Sequence, residues 1–182
     1  MTIYNLGSIN SDYFYHLPNL PLAGETLAAQ DYKRGMGGKG ANMSVAASRG
    51  AARVMHIGAV GQDGLWAKNR LLEYGVDTRH IAIGSIMGHA IIMIDPSGEN
   101  SIVIQPGANR EITKHQIGSA LSEASSGDIL LMQNETNQQA YTAKTAKELG
   151  LKVIYAAAPF EAKSVADISV SYTHLRAHET RI

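Results

Sequence analysis

Residues 128–156 read DILLMQNETNQQAYTAKTAKELGLKVIYA, and this stretch decides the fold class. Its apolar run Asp128–Met132 predicts a buried strand, Gln138–Leu149 predicts a helix, and Leu151–Ala156 predicts a second buried strand. Apolar strands joined by a helix of this length are typical of parallel pairing in a sheet that is covered on both faces. The stretch therefore favours an α/β architecture.

The same alternation extends outward in both directions along the chain. A buried strand is predicted over Met1–Ile9 and another over Arg53–Val60, and a helix is predicted over Leu65–Glu73. Lys114–Glu123 predicts a further helix, and Ala166–Ile168 is interpreted as the start of another strand. We therefore expect a doubly wound, largely parallel sheet that is truncated near its last predicted strand.

Two segments do not follow this alternation. Residues 10–35 contain Pro18 and Pro21 and fit short extended pieces better than a helix, so they predict a small β flap. Ala90–Ile94 and Ser101–Gln105 flank the turn sequence Asp-Pro-Ser-Gly and predict a β-hairpin. The flap is expected to project from the main sheet.

Composition excludes several classes of function. The chain has 182 residues, 45% of them hydrophobic, with 16 basic and 16 acidic side chains, so it carries no electrostatic footprint for nucleic acid or an anionic membrane surface. No apolar run approaches the roughly 20 residues that span a bilayer, and the N-terminus lacks a signal peptide pattern. The absence of Cys excludes disulfides, thiolate metal clusters and a cysteine nucleophile. We expect a cytoplasmic protein that binds neither nucleic acid nor membrane.

The glycine cluster at residues 35–40, Gly-Met-Gly-Gly-Lys-Gly, precedes an alanine-rich segment, Ala41–Ser48, that predicts a helix. Its spacing matches the dinucleotide fingerprint, but polar residues precede it instead of a buried strand, which disfavours a nicotinamide site. A Walker phosphate loop needs Ser or Thr where Gly40 stands. Two interpretations remain: a tight loop with a solvated lysine, or a helix N-terminus that binds an anion or a polyhydroxyl ligand through free N–H groups, Lys39 and Asn42.

Polar side chains follow two predicted strands of the sheet. Asn10 and Asp12 come just after the first strand, and Glu135 lies in the polar run after the strand Asp128–Met132. Taken singly, the first pair suits a turn, and Glu135 suits the N-terminus of the next helix. Together they favour a site for a hydroxylated small molecule, because ligands bind at the carboxyl edge of such sheets and these groups accept or donate hydroxyl hydrogen bonds.

These motifs together resemble the ribokinase, or PfkB, family of carbohydrate kinases. The resemblance covers about residues 3–169 and rests on an ordered set of segments: Leu6–Asp12, Gly24–Thr26, Gly37–Asn42 with its continuation to Gly50, Val60-Gly61, Asp95–Asn100, Pro106–Asn109 and Met132–Glu135. It implies a ribokinase-like fold, with residues 1–169 as the N-terminal part of a kinase domain and residues 11–36 as a β-sheet lid over the sugar. It also implies ATP and Mg²⁺ as cofactors, K⁺ in some members, and a homodimer formed through the lid.

The resemblance assigns roles by position. It implies sugar contacts at Asn10, Asp12, Gly38, Lys39, Asn42 and Glu135, and a looser pocket lining by Ala90, Ile92 and Ile104. The expected substrate is a pentose, with ribose favoured by the polar set, and another sugar or a nucleoside as the alternative. Holding the hydroxyls in place would supply most of the rate in such an in-line phosphoryl transfer.

The departures from the family pattern bear on activity. The catalytic Asp of a Gly-Ala-Gly-Asp-like motif and the Pro-Asn-x-x-Glu motif that serves Mg²⁺ and phosphate do not occur in residues 1–182. No residue is therefore assigned as catalytic base, nucleotide ligand or metal ligand, and the chain as written is expected to lack kinase activity. Residues 170–182 have no clear period and are interpreted as a foreign or out-of-frame tail. The alternative from another class is a non-catalytic sugar-binding or dimerisation module.

Overall fold

Two β-sheets organise the chain in a computed structural model, which describes residues 1–169, 171 and 174–176. The strands are β1 (Thr2–Leu6), β2 (Asn10–His16), β3 (Asp31–Gly37), β4 (Arg53–Gly61), β5 (Ile81–Gly84), β6 (Gly88–Ile94), β7 (Asn100–Gln105), β8 (Ile129–Gln133), β9 (Lys152–Ala156) and β10 (His174–Arg176). The helices are α1 (Lys39–Arg49), α2 (Leu65–Glu73), α3 (Lys114–Leu121), α4 (Gln139–Glu148) and α5 (Ala162–Ile168), and 3-10 turns cover Gln62–Gly64 and Gly107–Arg110.

The larger sheet is doubly wound, which confirms the predicted fold class. Its strands pair in parallel in the order β10-β9-β8-β1-β4-β5. One face packs on α3, α4 and α5 in a core that includes Ile117, Ala143 and Ile168. The opposite face packs on α1 and α2 through Ala41 and Leu71. Because β1 lies between β8 and β4, the polar residues after β1 and β8 reach the same edge of the sheet.

The smaller sheet is a mixed, four-stranded lid in the order β3-β2-β6-β7. The predicted flap contributes β2 and β3, and the predicted hairpin contributes β6 and β7. The two halves join through parallel pairing of β2 with β6, in which Asp12 lies opposite Ala90 and Phe14 opposite Ile92. We use the name lid for β2, β3, β6 and β7.

Two local predictions were wrong. Asn10–Asp12 is the start of strand β2 and not a turn; the strand pairs with β3 on one side and β6 on the other, which satisfies its backbone. Ala166–Ile168 ends helix α5 and does not begin a strand. Val165 and Ile168 lie three residues apart on one helical face and both pack on the main core, and this gain favours the helix.

The predicted tail at residues 170–182 is described only in part. His174–Arg176 runs parallel to β9 as β10, whereas residues 170, 172, 173 and 177–182 lie outside the described residues. In the same described part of the chain, every helix is too short or too polar to cross a membrane.

Candidate functional site

A cavity of about 250 Å³ lies where the carboxyl ends of β1, β8 and β9 meet the lid. This volume is below the usual range for pockets that bind drug-sized ligands, and it suits a smaller molecule such as a monosaccharide. The cavity is lined by Ser8, Asn10, Ile104, Pro106, Asn109, Arg110, Asn134, Glu135 and Pro159. Of the residues predicted to contact sugar, Asn10, Glu135 and Ile104 therefore line it directly.

Glycines allow helix α1 to begin against the end of β1. A Cβ on Gly40 would overlap the backbone of Gly7, so these two backbones approach each other as only glycines can. Gly38, before the first helical residue, has φ of 92°, and a Cβ there would lie 2.7 Å from the Ser8 carbonyl oxygen. The helix N-terminus is consequently held directly beside Ser8, which is buried.

Glu135 occupies the N-terminus of α1. Its Oε2 accepts hydrogen bonds from the Lys39 backbone N–H at 3.0 Å and from the Ser8 hydroxyl. Its Oε1 accepts from Lys39 Nζ at 2.7 Å. The Ser8 carbonyl and hydroxyl also take the N–H groups of Ala41 and Gly40. The positive end of the helix thus stabilises a carboxylate of the protein itself.

This arrangement corrects two sequence interpretations. The N–H groups at the start of α1 are not free for an external anion, because Glu135 and Ser8 already use them. Glu135 also does not open the following helix, since α4 begins at Gln139 and the carboxylate faces α1. Lys39, with a side chain 42% exposed, keeps donors available for a ligand after its bond to Glu135.

Asp12 has the opposite character. Its carboxylate packs against Gly37, where any Cβ would overlap it, and it accepts no hydrogen bond from the described residues. Burial raises the pKa of Asp12, and repulsion from Glu135 raises it further, while Lys39 acts in the opposite direction. Asp12 therefore has carboxylate oxygens that are free to accept hydrogen bonds, and it lies close to the Lys39–Glu135 pair. A carboxylate that binds hydroxyl groups needs such free oxygens.

The amide of Asn10 is fixed by a residue to which the sequence assigned no role. The Asn109 Nδ2 donates to Asn10 Oδ1 at 2.8 Å, and the Asn109 Oδ1 accepts from the Ile9 N–H at 2.9 Å. Both side chains are buried. Asn109 lies in the predicted motif Pro106–Asn109, which gave its position but not its partner. With its oxygen engaged, Asn10 presents its NH₂ group as a donor.

The apolar lining comes from the inner face of the lid. Ile104 lies opposite Ala90, which itself lies opposite Asp12, so these side chains form one row across the lid. Ile92 belongs to the next row, beside Phe14 and opposite Ile102. The predicted lining residues therefore share the face that carries Asp12.

Six of the predicted contacts are not among the residues that line this cavity: Asp12, Gly38, Lys39, Ala90, Ile92 and Asn42. The position of Asn42 shows this most clearly. Its side chain is exposed on α1 and lines a separate cavity of about 550 Å³ on the opposite side of the lid strand β3. A direct role for Asn42 in the smaller cavity would require the side chain to reorient.

A buried polar network supports the glycine contact from below. Asn5 Nδ2 donates to the Gly40 carbonyl at 2.8 Å and to Ser44 Oγ at 2.7 Å. Ser44 Oγ also bonds His56 Nδ1, and His56 Nε2 bonds the Gly7 carbonyl at 3.0 Å. Burial lowers the pKa of His56 to about 4, so it is neutral at pH 7. His56 is therefore a packed core residue, and it also holds the turn after β1.

The side chains in and beside the cavity have the hydrogen-bonding chemistry that a polyhydroxyl compound would need. Asp12 supplies acceptors, Lys39 and Asn10 supply donors, and the lid row supplies an apolar cover. Within the described residues, no group of three or more His, Asp or Glu side chains could hold a metal ion. The donor set for Mg²⁺ does not fit this part of the chain, and no phosphoryl-transfer step is assigned to its residues.

Comparison with known proteins agrees with this geometry. A model described as pfkB family carbohydrate kinase matches residues 3–173. A ribokinase from Haemophilus influenzae is 40% identical over 164 residues, which cover 87% of this chain and 54% of that protein. A deoxyribokinase from Salmonella typhi is 29% identical over 179 residues, which cover 94% of this chain and 57% of that protein. The chain spans about half the length of the curated relatives it matches.

Solved structures give the same result for the fold. A ribokinase from Arabidopsis thaliana complexed with ribose and ATP has a TM-score of 0.81 at 25% identity, covering 96% of this chain and 59% of that one. A ribokinase from Thermotoga maritima has a TM-score of 0.81 at 29% identity, covering 96% of this chain and 58% of that one. A nucleoside kinase from Burkholderia thailandensis has a TM-score of 0.78 at 15% identity, a likeness of fold alone.

Proposed function

Since the chain belongs to the pfkB family of carbohydrate kinases, we propose that it forms the sugar-binding part of an ATP-dependent kinase whose substrate is ribose. The observation that carries the proposal is the Asp12 carboxylate, which accepts no hydrogen bond from the described residues and lies near the Lys39–Glu135 ion pair; Glu135 in turn lines the cavity of about 250 Å³. The 40% identity to a ribokinase supports ribose as the sugar.

In this proposal, Asp12 accepts hydrogen bonds from adjacent hydroxyls of the sugar, and Asn10 and Lys39 donate to its oxygens. Glu135 acts through Lys39, because its Oε1 accepts from Lys39 Nζ at 2.7 Å and so holds the ammonium group in a fixed position. Sugar held in this way would present one primary hydroxyl in a fixed direction, which is the part of in-line phosphoryl transfer that positioning accelerates.

In this proposal, the residues that bind nucleotide and Mg²⁺, and the catalytic base, lie in sequence that the relatives have and this chain does not match. Residues 1–182 contain neither the Gly-Ala-Gly-Asp-like motif nor the Pro-Asn-x-x-Glu motif. The chain on its own is therefore proposed to bind ribose without transferring phosphate. The same reasoning leaves ATP, Mg²⁺ and K⁺ as proposed cofactors of the whole protein.

A second proposal concerns the lid, which we infer pairs two copies of the chain. The support is apolar exposure on the lid face that points away from Asp12: Val103 is 58% exposed, and Ile91, directly opposite on β6, is 38% exposed. Tyr32 on the same face is 49% exposed. Apolar side chains that lie together on an exposed sheet face are a common basis for association.

The test of ribose as substrate is enzymatic. The complete gene product that contains these residues is assayed for ADP release with ribose, 2-deoxyribose, fructose and adenosine, each with ATP and Mg²⁺. The proposal expects the highest kcat/KM with ribose, and an Asp12→Asn variant that loses most of it. Preference for 2-deoxyribose would move the assignment toward the deoxyribokinase relatives, and no turnover with any of the four would refute it.

A further inference from the structure

The larger cavity, of about 550 Å³, lies between the lid strand β3 and the outer faces of α1 and α2. It has no part in the sugar site proposed above. Its lining includes three arginines, Arg34, Arg49 and Arg70, which come from three different elements. We call it the arginine groove. The three arginines line one cavity from separate elements. They therefore create a local excess of positive charge in a chain whose net charge is zero.

Two of these arginines have no acidic partner. In the described part of the chain, Arg34 and Arg49 form no ion pair, whereas Arg70 is paired with Glu73 at 2.9 Å. Arg34 instead donates to Ser11 Oγ at 2.8 Å and Arg49 lies over an aromatic ring. A guanidinium group that is not neutralised retains donors suited to a tetrahedral anion.

Aromatic rings hold the arginine side chains in place. The Arg34 guanidinium lies 4.5 Å from the ring centroid of Trp66, and the Arg49 guanidinium lies 5.1 Å from that of Tyr74. Stacking of this kind restrains a long side chain before any ligand arrives, which lowers the entropy lost on binding. The groove is therefore partly organised for recognition in the absence of a ligand.

Trp66 contributes its ring to the groove and supplies no donor to it. The residue lines the groove, but its indole nitrogen is buried and has no hydrogen-bond partner among the described residues. The donors that a ligand in the groove can reach are therefore those of the arginines.

We propose that the arginine groove binds a phosphomonoester or inorganic phosphate, at a site separate from the sugar cavity. The phosphate oxygens accept from the guanidinium groups of Arg34 and Arg49. Arg34 lies on β3, and this strand ends at Gly37, which packs against Asp12. The arginine groove and the sugar cavity therefore both border β3, but they share no side chain that is proposed to bind a ligand.

The chain itself supplies the probe, because Trp66 is its single tryptophan. The 182-residue chain is titrated with inorganic phosphate and with glycerol 3-phosphate while tryptophan emission is recorded, with sodium chloride at matched ionic strength as reference. Isothermal titration calorimetry repeats each series, so that binding without an emission change is also detected. No sugar or nucleotide is present, so the outcome is independent of the proposed ribose site.

The expected result is saturable binding that chloride does not reproduce. Arg34→Gln and Arg49→Gln should each weaken it by about tenfold or more, the effect of one lost charge-assisted hydrogen bond. Arg53→Gln, an exposed arginine on β4 outside the groove, is the matched control and should leave the affinity unchanged. Tighter binding of glycerol 3-phosphate identifies an organic phosphate as the ligand, and equal binding identifies the phosphate group alone. Absence of saturable binding, or equal affinity in all variants, would overturn the proposal.

Discussion

At the scale of single residues, the two carboxylates of the proposed sugar site differ in what already occupies their oxygens. Glu135 accepts three hydrogen bonds from Ser8 and Lys39, so most of its acceptor capacity is used within the protein. Asp12 carries a charge with no donor from the described residues and a raised pKa. The direct acceptor for sugar hydroxyls is therefore expected to be Asp12, with Glu135 as a positioning residue for Lys39.

The raised pKa of Asp12 predicts a pH dependence of ribose binding. The ionised form accepts hydroxyl hydrogen bonds, so affinity is full above the pKa and falls as the pH drops through it. Because burial and Glu135 raise that pKa, the fall should begin at a higher pH than an ordinary Asp would give. Calorimetric titration of ribose at a series of pH values from neutral into the acidic range measures it. Asp12→Asn should bind weakly with little pH dependence; an unchanged pH profile in that variant would assign the titration to another group.

The contact between Gly7 and Gly40 gives a second prediction at this scale. Gly40→Ala should lower the free energy of unfolding by at least about 2 kcal/mol, because its Cβ would overlap the backbone of Gly7. Gly118→Ala is the matched control, since Gly118 lies within α3 and a Cβ there meets nothing within 4 Å. That variant should raise stability by roughly 0.5–1 kcal/mol. Urea unfolding measures both, and equal effects would contradict the role given to the glycine contact.

At the scale of elements, helix α1 is fixed to the main sheet by the buried network of Asn5, Ser44 and His56. The pKa of His56 is lowered by burial from 6.5 to about 4, although its bond to the Gly7 carbonyl opposes the shift. Below pH 6.5 the unfolded chain takes up a proton that the folded chain does not. Stability should therefore fall as the pH drops from 6.5 to about 4, by about 3 kcal/mol in total from this group.

Urea unfolding at a series of pH values measures this loss. His56→Gln removes the titrating group and retains a donor for the Gly7 carbonyl, so its stability should change less over the same pH range. The exposed His115 serves as the control, because the free energy of unfolding of His115→Gln should depend on pH in the same way as that of the wild-type chain. A slope unaffected by His56→Gln would show that other groups cause the acid loss.

The elements also differ in how well the sequence predicted them. Strands β4, β8 and β9 and helices α2, α3 and α4 were predicted within a few residues, because each has its own apolar period and lies between turn residues. Strand β5 was not predicted, since it has only four residues. The assembly of the lid from two segments was not predicted either, because the parallel pairing of β2 with β6 joins residues far apart in sequence.

The candidate site was likewise predicted in its positions along the chain and not in its contacts between distant segments. Asn10, Asp12, Lys39 and Glu135 were predicted from the carboxyl ends of strands and from family motifs, which fix position along the chain. The occupation of the α1 N-terminus by Glu135 and the bond from Asn109 to Asn10 depend on which loops meet in space. Asn42 shows the converse case, since its place in the motif does not determine the direction of its side chain.

At the scale of the whole molecule, the outer face of the lid is expected to join two copies of the chain. Val103→Glu would place a charge on that apolar face and should convert a dimer to a monomer in sedimentation velocity experiments. Leu72→Glu is the matched control, because Leu72 is 60% exposed on α2, away from the lid. A wild-type chain that sediments as a monomer at all concentrations, or a dimer that persists in Val103→Glu, would contradict the proposed interface.

The central claim is that the cavity between the main sheet and the lid is a ribose site. Isothermal titration calorimetry of the 182-residue chain with ribose tests it most directly, because it requires neither nucleotide nor turnover. We expect one saturable site per chain, with an affinity that is weakened about tenfold or more in Glu135→Gln and unchanged in Glu148→Gln, a carboxylate exposed on α4. Binding that is absent in the folded wild-type chain, or equally strong in Glu135→Gln, would contradict it.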